Sequence, residues 1–205
     1  MEDIIRATRQ DKDRMVDILS RAFKHDPHVQ WFVGSGKSRA RRLKTLMEFA
    51  FEKGIADQEI YLTTDKNAVA IWRNPVQAGK MTVHLLLIYV RFIWVMGITK
   101  IRAIIQLEQA IVIRYPKNQP FLYLWFLGVA PEHQGEGLSS QLLKPKLSSA
   151  DKIQHSTYLE TTNPVNLAIY ARRGFEVYDE MVLDAQAGTT IYFMRRAHQI
   201  PVVLA

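Results

Sequence analysis

The amino-acid sequence predicts an α/β (α+β) fold, a mixed central β-sheet flanked by helices, with an extra helical insertion around residues 80–116. Two observations carry this. After Pro120 the hydrophobic pattern switches repeatedly between strand and helix periods, which argues for a layered α/β domain. Phe121–Val129 (FLYLWFLGV) is apolar on both of its alternating faces, as expected of a central strand covered on two sides. The 205 residues suit one domain over 1–205 with a full core.

Taken in order, residues 4–9 (IIRATR) predict a first strand. Residues 11–24 follow helical spacing, with Met15, Ile18, Leu19, Ala22 and Phe23 on one stripe, and Asp26-Pro27 ends that element. Residues 39–53 repeat the helical pattern through Leu43, Leu46, Met47 and Ala50, with Ser35 or Ser38 as its cap. Glu59–Thr64 and Ala68–Arg73 read as a hairpin turning at Asp65-Lys66-Asn67. Beyond Phe121–Val129, residues 137–149 predict a helix kinked at Pro145, where a backbone donor is lost. Ile153–Glu160 predicts a strand, Pro164–Arg173 a short helix, and Phe175–Leu183 and Thr190–Arg195 the last two strands.

The run MTVHLLLIYVRFIWVMGI (81–98) is 18 residues long and largely apolar, so a membrane span has to be considered. Arg91 lies in its middle, at a cost of about 2.5–3.5 kcal/mol on insertion scales. An amphipathic stretch, 99–113, follows directly. A buried helical pair is the favoured reading, with a membrane-surface helix as the alternative. Tyr89, Phe92 and Trp94 are candidates to line an apolar pocket or to serve as core.

Charge and composition narrow the function classes. There is no cysteine, which excludes disulfides, thiolate metal sites and a cysteine nucleophile, and is compatible with a reducing cytoplasm. The charged N-terminal stretch lacks an apolar signal region, so a cytoplasmic location is expected. The net charge of +7 favours anionic partners without choosing among nucleic acid, membrane phosphate and a phosphorylated cofactor. The densest basic run, Lys37, Arg39, Arg41, Arg42 and Lys44, reads as a solvated helix face. No metal-site or Ser-His-Asp spacing is present, and His25 and His28 are expected at the surface. Gly34-Ser35-Gly36-Lys37-Ser38 imitates a nucleotide phosphate loop, but Trp31 stands where that motif needs its first glycine.

Two constellations carry chemistry. In Val129-Ala130-Pro131-Glu132-His133-Gln134-Gly135-Glu136-Gly137-Leu138-Ser139-Ser140, a strand ends, two glycines let backbone approach a ligand, and a helix begins. Strand, glycine loop and helix N-terminus together predict a pyrophosphate cradle. In Glu160-Thr161-Thr162-Asn163-Pro164-Val165-Asn166-Leu167-Ala168-Ile169-Tyr170-Ala171-Arg172-Arg173-Gly174-Phe175, Asn163 suits an N-cap, Pro164 the first helical position and Gly174 the residue after the helix end. Asn166 and Tyr170, four apart, share one helix face.

Together, Q-G-x-G before a helix and N-x-x-N-x-x-x-Y-x-x-x-G-F resemble the GNAT acetyltransferases over about residues 120–195, and LETTNPVNLAIYARRGFEV is similar to the branch that includes puromycin N-acetyltransferase. Ser139 departs from the family's preference for Gly or Ala. The resemblance implies acetyl-CoA as co-substrate, no metal, and direct acetyl transfer to a primary amine of a small molecule. It places the pantetheine along Leu127, Gly128 and Val129 and the pyrophosphate on Gln134, Gly135, Glu136, Gly137, Leu138, Ser139 and Ser140. Asn166 would hold cofactor or water, and Arg173 would meet a phosphate. Tyr170 matches the family's general acid, and Glu160 is the candidate base. The expected partner is a small amine, with neither nucleic acid nor membrane, and a homodimer is left open. A protein or peptide acetyltransferase and an idle cofactor-binding module are the alternatives.

Overall fold

The computed structural model describes residues 4–73 and 82–199, so Lys80 and Met81 of the predicted insertion lie outside the described residues. Its strands form one seven-stranded sheet in the order β1-β2-β3-β4-β5-β7-β6. These are β1 (Ile4–Arg6), β2 (Ile60–Thr63), β3 (Ala68–Arg73), β4 (Phe121–Val129), β5 (Ser156–Thr161), β6 (Glu176–Asp184) and β7 (Thr189–Arg196). All neighbouring pairs are antiparallel except β4 and β5, so the sheet is mixed as predicted. The helices are α1 (Lys12–Ala22), α2 (Pro27–Val33), α3 (Arg39–Asp57), α4 (Val83–Met96), α5 (Ile98–Val112), α6 (Leu138–Lys152) and α7 (Pro164–Ala171).

The period-2 alternation of β3 explains the layers. Val69 and Ile71 pack with Met15, Leu19, Met47 and Phe51 of α1 and α3. Ala68, Ala70 and Trp72 face the other way, onto Leu138, Leu142 and Leu143 of α6. Gly54 sits where α3 crosses this sheet: a Cβ there would lie 2.5 Å from Ile60 Cγ1 and 2.9 Å from Ile71 Cγ2. Gly54→Ala is therefore expected to destabilise. The overpacking cost of about 1–3 kcal/mol outweighs the gain of about 1 kcal/mol in helix propensity. Urea denaturation would read it as a lower midpoint at unchanged slope.

Several boundaries differ from the sequence prediction. The first strand stops at Arg6 because Thr8 donates through its amide and its hydroxyl to Asp11 Oδ2, each at 2.8 Å, turning residues 9–11 into a 3-10 turn. Asp26-Pro27 opens a helix as well as closing one. The Asp26 carboxylate accepts from Val29 N at 2.9 Å and Pro27 takes the first position of α2. Ser38 precedes α3, but its side chain makes no cap bond; its carbonyl accepts from Arg42 N. α3 runs on to Asp57, held by the Lys53–Asp57 ion pair at 2.7 Å. α6 passes through Pro145 to Lys152, and Ile153–His155 close that helix rather than opening β5.

The helical insertion is present but is not a buried pair. α4 buries Leu85, Phe92 and Met96, and α5 buries Ile104, Leu107 and Ile111, while most of their other apolar residues are exposed. Among the described residues no single helix is long and apolar enough to cross a membrane, and α4 and α5 are bent by 112° at Gly97.

Candidate active site

Parallel strands β4 and β5 pair only through Phe121–Tyr123 and Ser156–Tyr158. On its other edge β4 skips from Phe126 to Leu124 between Ile71 and Trp72 of β3, leaving Trp125 in a bulge. Such a bulge bends its strand. Beyond these points β4 and β5 part, and a cavity of about 920 Å³ occupies the opening. That volume falls in the range of small-molecule sites, roughly 300–1,000 Å³.

The exposed strand edge follows from the ladder. Ala130 N donates to Asn67 O on the β3 side, at 2.8 Å. Amides alternate in direction along an antiparallel strand, so Val129 and Leu127 turn theirs to the opposite edge, where β5 has departed. Leu127, Gly128 and Val129 all line the cavity. Gly128 also has a packing role, since a Cβ there would come within 3.0 Å of Leu19 Cδ2 on α1.

At one end of the cavity lies the glycine loop. Gly135 and Gly137 have φ of +90° and +81°, and a Cβ on either would meet nothing within 4 Å. Both therefore need glycine for their backbone conformation, and the space above them is open. The amides of residues 135–139 make no hydrogen bond among the described residues, and α6 starts at Leu138. Free amides at the positive end of a 15-residue helix suit an anion. A second groove of about 900 Å³ continues from the loop and is lined by Ser140, Lys144, Arg172 and Arg173. Gln134, Gly135 and Ser139 line the cavity, and Gly137, Leu138, Ser139 and Ser140 the groove. Glu136 lines neither; its carboxylate sits 3.1 Å from His133 Nδ1, so the loop offers an anion its amide alone.

β5 and α7 supply the polar wall. Asn163 caps α7 by accepting from Val165 N at 3.1 Å, and Pro164 takes the first position, as the sequence predicts. Asn166 and Tyr170 both face the cavity, and Asn166 Nδ2 donates to Thr161 Oγ1 at 3.2 Å. Tyr170 is buried, and desolvation pushes its phenol well above the ordinary value, so it stays protonated at physiological pH. Arg173 lies in the groove; it donates to Ile169 O at 2.8 Å and to the Ser140 hydroxyl, tying α7 to α6.

Glu160, next to last in β5, lines the cavity. It accepts from the hydroxyls of Tyr115 and Tyr123, and burial pushes its carboxyl up to about 7 despite those two bonds. Neither tyrosine was singled out from the sequence; they lie 45 and 37 residues from Glu160. Two more carboxylates line the cavity, Asp26 at the start of α2 and Glu108 of α5; burial raises both, and neither was read from the sequence as a site residue. His28 corrects a prediction: it lies in the cavity wall rather than at the surface. Its Nε2 has no hydrogen-bond partner among the described residues, and burial lowers the ring to about 4, so it is neutral. Of the two roles open to them, Tyr89 lines the cavity and Phe92 serves both cavity and core, whereas Trp94 points outward.

Residues 104–175 match the Acetyltransferase (GNAT) family. Nearly the whole chain superposes on solved structures of that fold. One is a protein of Corynebacterium glutamicum described as histone acetyltransferase HPA2 and related acetyltransferase, at TM-score 0.68 and 22% identity over 98% of each chain. Another is arylalkylamine N-acetyltransferase 2 of Aedes aegypti, at TM-score 0.65 and 13% identity over 96% of this chain and 98% of that one. The ribosomal-protein-S18-alanine N-acetyltransferase of Escherichia coli gives TM-score 0.52 and 14% identity over 98% and 97%.

Proposed function

We propose that this chain, which has the GNAT fold and matches the GNAT acetyltransferases over residues 104–175, moves the acetyl group of acetyl-CoA directly to a primary amine of a small, partly apolar molecule. One observation carries the reading: Glu160, Tyr170 and the open edge of β4 face a single cavity with a glycine-rich anion cradle at one end. The string Leu159–Val177 supports a place beside the puromycin N-acetyltransferase-like branch.

The chain's own groups divide the work. The amides of residues 135–139 and the basic groove hold the phosphates of acetyl-CoA, and the edge at Leu127 and Val129 holds its pantetheine amides. Glu160 takes a proton from the acceptor ammonium, freeing its nitrogen lone pair. As nitrogen bonds to the acetyl carbon, Val129 N–H supports the developing oxyanion. The carbon–sulfur bond then breaks, and Tyr170 gives its proton to the departing sulfur. Asn166 positions the reacting groups through its bond to Thr161.

The acceptor end favours a small amine over a peptide. Phe49, Tyr89, Phe92, Ile104 and Trp125 close it with apolar surface, and Glu108 adds a carboxylate for a cation. The test is acetyl-CoA binding by calorimetry, followed by thiol release with aryl-alkyl amines, polyamines and N-terminal peptides. Turnover confined to apolar amines supports the reading, turnover confined to peptides replaces the acceptor, and absence of acetyl-CoA binding overturns the whole. Gly137→Trp places a side chain at φ +81°, strained by about 1–2 kcal/mol and filling the cradle. It is expected to weaken acetyl-CoA binding at least about tenfold with secondary structure retained on circular dichroism; an unchanged Kd puts the phosphates elsewhere.

A further inference from the structure

The outer face of α4 does not line the cavity, and its apolar side chains stay exposed. Val83, Leu86, Leu87, Val90 and Trp94 fall within an arc of about 100° on a helix of 3.6 residues per turn. Buried Leu85, Phe92 and Met96 fall on the opposite side, so α4 is apolar toward both the core and solvent. The exposure is large: 78% for Val83, 62% for Leu87 and 73% for Trp94. An unbroken stripe of this kind marks an interaction surface rather than scattered surface residues.

Its surroundings are basic. Arg41 and Lys44 in the first turns of α3, and Lys37 just before it, are exposed, and the Arg41 guanidinium lies 5.0 Å from the centre of the Trp94 ring. Arg91 flanks the stripe, 2.8 Å from Glu48, and Arg102 is exposed on α5. Apolar side chains that end at a tryptophan beside arginine match the layering of a membrane interface, acyl boundary below and anionic headgroups above. A second copy would set basic clusters against each other across a two-fold axis, which disfavours that occupant. With 14 residues, α4 spans about 21 Å, short of a hydrocarbon core of about 30 Å, so it lies in the interface plane.

We propose that this face of α4, with the basic turn of α3, docks the protein on an anionic membrane surface. This goes beyond the acetyltransferase reading and does not rest on it, and it replaces the expectation of no membrane partner. Ile93 and Ile105 are both exposed and part of the cavity wall, so the docking face borders the acceptor end of the cavity.

The experiment is cosedimentation of the full chain with phosphatidylcholine vesicles, with and without phosphatidylglycerol, at low and high salt. Binding to the mixed vesicles is expected, reduced at least about tenfold by Leu87→Asp and, separately, by high salt. Leu87 is exposed, so the thermal midpoint of Leu87→Asp should match that of the parent. Trp94→Ala gives a second variant with the same expectation. Failure to sediment with either vesicle overturns the proposal, as does a concentration-dependent dimer that Leu87→Asp dissociates. Binding that Leu87→Asp and Trp94→Ala both leave unchanged overturns it too, since charge alone would then account for the attraction.

Discussion

Tyr170→Phe is expected to lower kcat by about 10²–10⁴-fold, the usual range for a lost general acid, while KM for acetyl-CoA changes little. The variant removes one oxygen from a buried ring. That hydroxyl makes no hydrogen bond among the described residues, so no partner is orphaned, and the ring keeps its edge contact with Phe175 at 5.7 Å. The thermal midpoint should therefore hold. The loss should also be uniform across pH 6–9. Burial keeps the phenol protonated throughout that span, so no limb of the wild-type profile belongs to it. An unchanged kcat at every pH would remove Tyr170 from the proton path and leave bulk water or another donor to protect the leaving sulfur.

The parts of the site legible in the sequence were those whose chemistry is local. The cap, first-position proline and terminal glycine of α7 lie within a dozen residues, and helical spacing alone puts Asn166 and Tyr170 on one face. The loop glycines were legible because positive φ is a backbone demand that few other residues meet. What was missed depends on closure of the chain. Tyr115 follows α5 and Tyr123 sits in β4, and no sequence pattern links either to Glu160. β4 reads as buried on both sides because a cavity wall and a packed core select the same apolar residues. Only the lost pairing beyond Tyr123 shows which one is present. The same ambiguity hid the exposure of α4, where apolar residues on all sides give no sign of which stripe meets the core. Asp26-Pro27 was read as a stop, although a cap residue followed by proline is equally a start, and His28 moved into the cavity wall with that helix.

Glu160→Gln tests the other half of the proton path, by two readouts that a merely structural carboxylate would not move together. In the parent, kcat/KM should rise as pH increases through about 7, because the base acts only when ionised and burial sets its carboxyl there. The acceptor ammonium titrates much higher, near the ordinary amine range of about 10, so it stays protonated across this range and adds no break near 7. Glu160→Gln should abolish that break and cost about 10²–10⁴ in rate. Stability should move the opposite way. A carboxyl raised above its unfolded value favours the native state below the unfolded pKa, and that contribution is lost as pH rises through the folded one. The wild-type protein should thus lose stability between about pH 4.3 and 7, while the glutamine variant, still able to accept from Tyr115 or Tyr123, should not. Denaturation midpoints that coincide near pH 4 and separate in favour of the variant at pH 8 would identify Glu160 as a carboxylate held at a cost to the fold. A retained break near pH 7 in the variant would transfer the base role to another group, with Asp26 and Glu108 the remaining carboxylates in the same cavity.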